Sequence, residues 1–275
     1  MTRHVLILGG HGKISQLITP ILLRKSWTVT SVIRSADQVP TIEKLGAGIA
    51  TGRLNVLVRS LEEMTEQAQA QAVLDEAKPD TVFWSAGAGG KGNPERTFLI
   101  DRDAAVHFIK AAVATPSIRQ FILVSYVACR RTRAPWWDDK AWADAEKVNA
   151  MLSRYYAAKI VADEELLRQA AQRSDLAAIS LRPGTLTDEP AGKVELGKTV
   201  GAGGDTSRAS VAEVAAALME RVGKTKTGWL DLLDGTEALE GAVERVVKEG
   251  VNAAEGEEVF EKLKAQRSQR QQHDL

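Results

Sequence analysis

Apolar and polar positions along this chain switch repeatedly between two periods. Val5 to Leu8 form a short unbroken apolar run, as expected of a central parallel strand covered on both faces. A helical stretch follows, and Val29 to Ile33 give a second strand that ends on Arg34. Further strands are predicted at Leu54 to Val58, Thr81 to Ser85, Gln120 to Ser125, Leu176 to Leu181 and Gly228 to Leu233, with a short one at Val194 to Leu196. Amphipathic helices are predicted between them, over about 62–77, 96–114, 151–172 and from Ser207 to Arg221. This alternation implies an α/β fold, a doubly wound parallel sheet with helices on both faces. Residues 1–253 read as one domain, with small substrate-lobe elements near 185–206 and 228–250, and 254–275 as a charged tail. Pro20 inside the first helix removes a backbone donor and should bend it.

The first strand runs straight into Gly9-Gly10-His11-Gly12, and Lys13 and Ile14 open the helix. A turn without Cβ atoms lets backbone N–H groups approach a pyrophosphate, and the positive end of the helix stabilises the anion. This segment is therefore expected to bind a dinucleotide. Where an acidic residue would bind a ribose 2′-hydroxyl, the second strand ends in Arg34, whose guanidinium suits a 2′-phosphate. NADP(H) is favoured over NAD(H). The small-residue loop Ala86-Gly87-Ala88-Gly89-Gly90-Lys91-Gly92, at a strand's carboxyl end, is expected to line the cofactor.

Composition narrows the partners. The chain has 275 residues, 44% of them hydrophobic, enough for a substantial core, and its 36 basic and 36 acidic residues balance. No nucleic-acid or membrane partner is expected. Cys129 is the single cysteine, which excludes an internal disulfide and a cysteine-rich zinc site, and it reads as a buried inert thiol. No metal is expected. No signal-like segment or bilayer-length apolar run is present, so a cytoplasmic location is the expectation.

Tyr155 and Lys159 lie four residues apart and so share a helix face. An ammonium beside a phenol stabilises the phenolate, and a tyrosine so tuned can protonate a carbonyl as hydride arrives or deprotonate an alcohol in reverse. Lys159 can also hold the nicotinamide ribose, and Ser125, at a strand end, the substrate oxygen. Between Ser125 and Tyr155 lies Arg130-Arg131-Thr132-Arg133 with Trp136, Trp137 and Trp142. This insertion is expected to be a lid or substrate wall, or else a subunit contact in a homodimer; its arginines are either solvated or bind an anionic substrate.

Together the glycine turn, Ser85-Ala86-Gly87-Ala88, Ser125, Tyr155-x-x-x-Lys159 with Ala162-Asp163-Glu164, Leu181-Arg182-Pro183-Gly184 and Ser207-Arg208-Ala209-Ser210-Val211 resemble the atypical and extended branches of the short-chain dehydrogenase/reductase superfamily, the epimerase and nitrogen-regulator-like proteins. The resemblance covers about residues 4–245 and implies a Rossmann-like sheet. It implies Tyr155 as acid–base residue, and Pro183 and Gly184 passing the nicotinamide. Ser60 and Leu61 would lie near the adenine, after Arg59, where relatives commonly have aspartate. Ser15 stands where a third glycine is usual. The implied activity is an NADP(H)-dependent oxidoreductase acting on a small carbonyl or alcohol. The alternatives are an NAD(P)-dependent epimerase and a non-catalytic NADP(H) sensor that meets another protein through its tryptophan-rich loop.

Overall fold

The computed structural model describes residues 3–88 and 95–273; Gly89 to Gly92 of the predicted cofactor-lining loop lie outside them. The elements follow one another as β1 (His4–Leu8), α1 (Lys13–Arg24), β2 (Thr28–Ile33), α2 (Val39–Glu43), β3 (Arg53–Val58), α3 (Gln67–Ala77) and β4 (Thr81–Trp84). Then α4 (Glu95–Thr97) runs through a π-helical stretch, Phe98–Ala104, into α5 (Ala105–Ala114), followed by β5 (Gln120–Val124), α6 (Asp139–Met151) and α7 (Ser153–Ala170). The chain continues with β6 (Ala177–Pro183), β7 (Thr185–Thr187), β8 (Val194–Gly197), β9 (Asp205–Ser207), α8 (Arg208–Glu220), β10 (Gly228–Asp234), α9 (Leu239–Glu249) and α10 (Glu258–His273).

Eight strands form one sheet in the order β3-β2-β1-β4-β5-β6-β10-β8, parallel except for β8, which runs antiparallel to β10. Strand order reverses between β1 and β4, and their carboxyl ends are level: Leu8 stands opposite Val32 on one side and Trp84 on the other. A crevice opens at such a reversal, so this is where the fold prepares a ligand site. One face is covered by Ile14, Ile18 and Leu22 of α1, Val211, Val214 and Leu218 of α8, and Val243 and Val246 of α9. The other is covered by Val73 and Leu74 of α3, Phe108 and Ile109 of α5, and Ala162 and Leu166 of α7. Helix α1 runs unbroken from Lys13 to Arg24 with Pro20 inside it.

The small-lobe segments divide in two. Strands β8 and β10 join the main sheet, while β7 and β9 pair as a separate two-stranded ribbon. No helix among the described residues is long and apolar enough to cross a membrane.

The tryptophan insertion departs from expectation. Instead of lying exposed over a cavity, Trp137 is buried and Trp136 and Trp142 half-buried in a local core with Val127, Ala134 and Ala145. The indoles of Trp136 and Trp137 both donate to the Thr199 carbonyl at 2.9 Å. The arginine cluster is structural too. Arg130 is buried; it donates to the carbonyls of Ala253, Glu255 and Thr132, and its Nε lies 3.4 Å from buried Glu257. Arg131 pairs with Glu164. The insertion therefore holds the segment after β8, at Thr199 and Ala202, and residues 253–257 in place. Much of it is α6, capped by Asp138, which accepts from the Ala141 N–H at 2.7 Å. Its buried face is Ala141, Ala145 and Asn149, too small and polar to show as an apolar stripe. The charged tail is helix α10, docked through Val259, Phe260 and Leu263 beside Ile160 and Leu167.

If the tryptophans brace the fold, Trp137→Ala should lower unfolding free energy by about 3–5 kcal/mol in a urea titration. Binding of NADPH, the cofactor expected from the sequence, should stay within about twofold, because the two sites share no partner. A large loss of NADPH affinity without loss of stability would instead restore the lid reading.

Candidate active site and cofactor cleft

The crevice at the strand reversal holds two adjoining cavities that share Gly12, Ser85, Ala86 and Gly87. The first, about 240 Å³, lies over the glycine turn and the ends of β2 and β3; it is lined by Gly9, Gly10, His11, Arg34, Gln38, Arg59, Leu61, Glu62, Arg96 and Ile100 among others. The second, about 560 Å³, runs from Lys13 and Ile14 past Ala88 and Asp101 to Ser125, Leu152, Tyr155, Leu186 and Arg208.

The turn is built for close approach. Gly9 has φ +87°, and a Cβ there would stand 2.6 Å from the Ala86 backbone; one on Gly10 would stand 1.9 Å from the Ser31 hydroxyl. Gly12 caps α1 with no side-chain hydrogen bond, and the helix has no acidic residue in its first turn, so its N-terminal N–H groups face the cleft uncompensated. These residues fit the pyrophosphate of a dinucleotide. Ser15 fits under the turn as a buried residue whose hydroxyl finds no protein partner.

Most of the predicted cofactor residues meet at this cleft: Gly9, Gly10, His11, Gly12, Lys13, Ile14, Arg34, Leu61, Ala86, Gly87 and Ala88 all line it. Ser60, Lys159, Pro183 and Gly184 are not on its walls. Pro183 ends β6 inside the sheet, and Gly184 is required by packing, because a Cβ there would come 2.2 Å from the Gly204 carbonyl. Its N–H donates to Leu232 O and Thr206 Oγ1. Strand β7, which follows it, reaches the cavity instead, through Leu186.

Tyr155 and Ser125 share the second cavity, brought together by the start of α7 and the end of β5. Tyr155 is half-buried and stacks on Tyr126, with ring centroids 5.2 Å apart. Its phenol is pushed well above the usual value, by burial first and then by the acidic neighbours Asp101, Cys129 and Asp163. The expected lowering by Lys159 is thus overturned in this state: the phenol is neutral and a proton donor. Lys159, almost fully buried one turn on, donates to the Val124 carbonyl at 2.6 Å. Tyr156 points elsewhere and donates to Arg130 O. Cys129 is buried with its thiol pushed up by burial, an inert state.

Beneath the cavity lies a buried polar network. Ser125 Oγ donates to Asp163 Oδ2 at 2.6 Å and Ser180 Oγ to Asp163 Oδ1 at 2.7 Å. Arg182 donates to Asp163 at 3.3 Å, to Asp231 at 2.8 Å and to Val127 O at 3.0 Å, its guanidinium 4.1 Å over the Trp229 ring. A carboxylate can only accept, so the Ser125 proton is committed to Asp163 and its lone pairs are what face the cavity.

One cavity residue was missed by sequence reasoning. Asp101, on the π-helical stretch, is 1% exposed; its Oδ2 accepts from the Ala88 N–H at 2.9 Å, while its Oδ1 has no partner among the described residues. Burial pushes its carboxyl up, against the Lys159 ammonium, which pulls it down. An acid directly after the apolar run Phe98-Leu99-Ile100 was the signal available, and π-helical turns often mark functional sites.

The fold and the two-part cleft define a dinucleotide-binding α/β protein. The chain belongs to the NAD(P)H-binding family, whose model matches residues 9–221, and this is consistent with the short-chain dehydrogenase/reductase-like superfamily. It is 38% identical over 196 residues to the UPF0659 protein C216.03 of Schizosaccharomyces pombe, covering 70% of this chain and 74% of that one. It is 28% identical over 244 residues to the uncharacterized sugar epimerase YhfK of Bacillus subtilis, covering 88% and 99%. Among solved structures, a nominal NAD-dependent epimerase/dehydratase of Bacillus halodurans superposes with a TM-score of 0.69 at 26% identity, over 88% of this chain and 99% of that one.

The Asp101 carboxyl supplies a stability test. Its folded value is raised, so it favours the folded state most below the unfolded value of about 4, and that contribution is lost as pH rises through the folded value. Asp101→Asn removes the titration while keeping an acceptor for the Ala88 N–H. Its melting temperature relative to wild type should therefore rise more at pH 8 than near the unfolded value of about 4; an equal or opposite difference would contradict a carboxyl raised by burial.

Proposed function

We propose that this protein is an NADP(H)-dependent oxidoreductase acting on a small carbonyl or alcohol substrate, with Tyr155 as acid–base residue. The observation that carries the reading is that Tyr155 and Ser125 line one cavity, continuous through Gly12 and Ser85 to Gly87 with the glycine-turn cleft. The tryptophan insertion lies in its own core and takes no part in that cavity, which supports an enzyme over a sensor with a filled site.

When bound, the nicotinamide supplies or accepts the hydride. The chain's own residues handle the proton. In the reducing direction the neutral Tyr155 hydroxyl donates its proton to the substrate oxygen as negative charge develops there. The buried Lys159 ammonium beneath favours the phenolate left behind, and Ser125 orients the substrate by accepting from a donor on it while Asp163 holds the serine proton. Leu152 and Leu186 supply apolar surface to the wall of this cavity. Arg34 stands at the end of β2, more than half exposed, where a 2′-phosphate would lie.

Two measurements test this. NADPH should quench or enhance protein fluorescence at lower concentration than NADH, and Arg34→Ala should erase that difference by weakening NADPH alone; equal binding of both cofactors by wild type would end the NADP(H) assignment. With a substrate found from a panel of carbonyls, Tyr155→Phe should lower turnover by about 10²–10⁴-fold. Full turnover by that variant would remove Tyr155 from the chemistry.

A further inference from the structure

The adenosine end of the cleft carries more charge than a dinucleotide without a 2′-phosphate requires. Three guanidinium groups, those of Arg34, Arg59 and Arg96, line it together with one carboxylate, Glu62. Arg59 is drawn outward, to Glu76 at 3.1 Å and to the Val58 carbonyl of its own strand. The other two converge on Glu62. Arg96 Nε donates to Glu62 Oε1 at 2.7 Å, and Arg34 Nη1 lies 3.7 Å from the same oxygen.

Glu62 sits in the short turn Leu61–Glu63 after β3, Arg34 just past β2, and Arg96 in α4, so three separate elements bring one anion between two cations. The Arg34 contact is too long for a hydrogen bond, and Arg34 and Glu62 stay partly open to solvent. Such exposed pairs are weak and readily exchanged. A phosphate monoester carries a charge of about −1.5 to −2 and three strong acceptor oxygens, and two guanidinium groups at different angles can grip it by forked contacts. It is therefore a better partner for this pair than one shared carboxylate.

We propose that Glu62 is an internal stand-in for the cofactor's 2′-phosphate, holding Arg34 and Arg96 together until NADP(H) displaces it, and that Arg96 is a second phosphate ligand. The proposal rests on the reading of this cleft as an NADP(H) site. It makes Glu62 a residue that tunes cofactor discrimination: it competes with the phosphate, while a cofactor that lacks one does not contend with it.

The test uses the full chain with NADPH, NADH and adenosine 2′,5′-bisphosphate as probes, by fluorescence and calorimetry at two salt concentrations. Glu62→Gln removes the competitor, so NADPH and the bisphosphate should tighten by about two- to fivefold, the range expected for loss of an exposed ion pair. NADH should be unchanged. Arg96→Ala should weaken NADPH and the bisphosphate about tenfold and flatten their salt dependence, leave NADH within about twofold, and be partly rescued by Arg96→Lys. The proposal is overturned if Glu62→Gln leaves NADPH affinity unchanged or weakens it, or weakens NADH, which would make Glu62 a ribose ligand. It is equally overturned if Arg96→Ala weakens both cofactors alike, as an arginine stacked on adenine would. The underlying NADP(H) reading fails separately, on wild type alone, if NADH binds as tightly as NADPH.

Discussion

The site depends on a buried charge arrangement that permits one docking of α7 on the sheet. Arg182 on β6, wholly buried, is held between Asp163 of α7 and Asp231 of β10, and Asp163 in turn receives the hydroxyls of Ser125 and Ser180. Burying charge is costly unless every partner is in place, so sliding α7 along the sheet would strand an acid or a guanidinium at several kcal/mol. The arrangement is near its limit. Asp231 retains one unpartnered oxygen, and burial raises its carboxyl to about 6 even with Arg182 beside it. Since α7 also carries Tyr155 and Lys159, the network sets where the phenol stands relative to the end of β5. It is more naturally read as a device of position than as a source of net stability.

That position gives the cavity a definite chemical character. Three polar groups face or underlie it in states set by their surroundings: a neutral phenol at Tyr155, an acceptor oxygen at Ser125 and a carboxyl at Asp101 that burial pushes up. In the proposed reaction, negative charge accumulating on a substrate oxygen would be met by the Tyr155 donor, and Lys159, one helical turn on, would stabilise the phenolate after transfer. Burial first, and then the proximity of Asp101, explain why the phenol's proton is held more tightly than an adjacent ammonium alone would suggest.

Much of this was legible in the sequence where local chemistry sets the outcome. Apolar runs marked the buried parallel strands, and Gly9, Gly10 and Gly12 marked the turn, because no other residue type tolerates the approach of Ala86 and Ser31. That Tyr155 and Ser125 line one cavity could be anticipated because helix and strand geometry fix their direction. What escaped depends on contacts between distant segments. The indoles near 136–142 looked like an exposed binding surface because nothing local reveals that Thr199 and residues 253–257 would cover them. Helix α6 was missed because its buried face is alanine and asparagine, and Arg96 and Glu62 lay 34 residues apart with no shared pattern. The same holds for the Asp163–Arg182–Asp231 set, drawn from three elements that meet only when the sheet is complete.

The central claim is that one dinucleotide spans both cavities and ends beside Tyr155. A crystal structure of the complex with NADP⁺ tests it most directly. The account predicts the adenosine between Leu61 and Ile100 with its 2′-phosphate at Arg34, the pyrophosphate on the Gly9 to Gly12 turn, and the nicotinamide ring in the cavity of Ser125 and Tyr155 with its C4 facing the phenol. A dinucleotide bound elsewhere, or one whose nicotinamide ring points away from Tyr155, would contradict it.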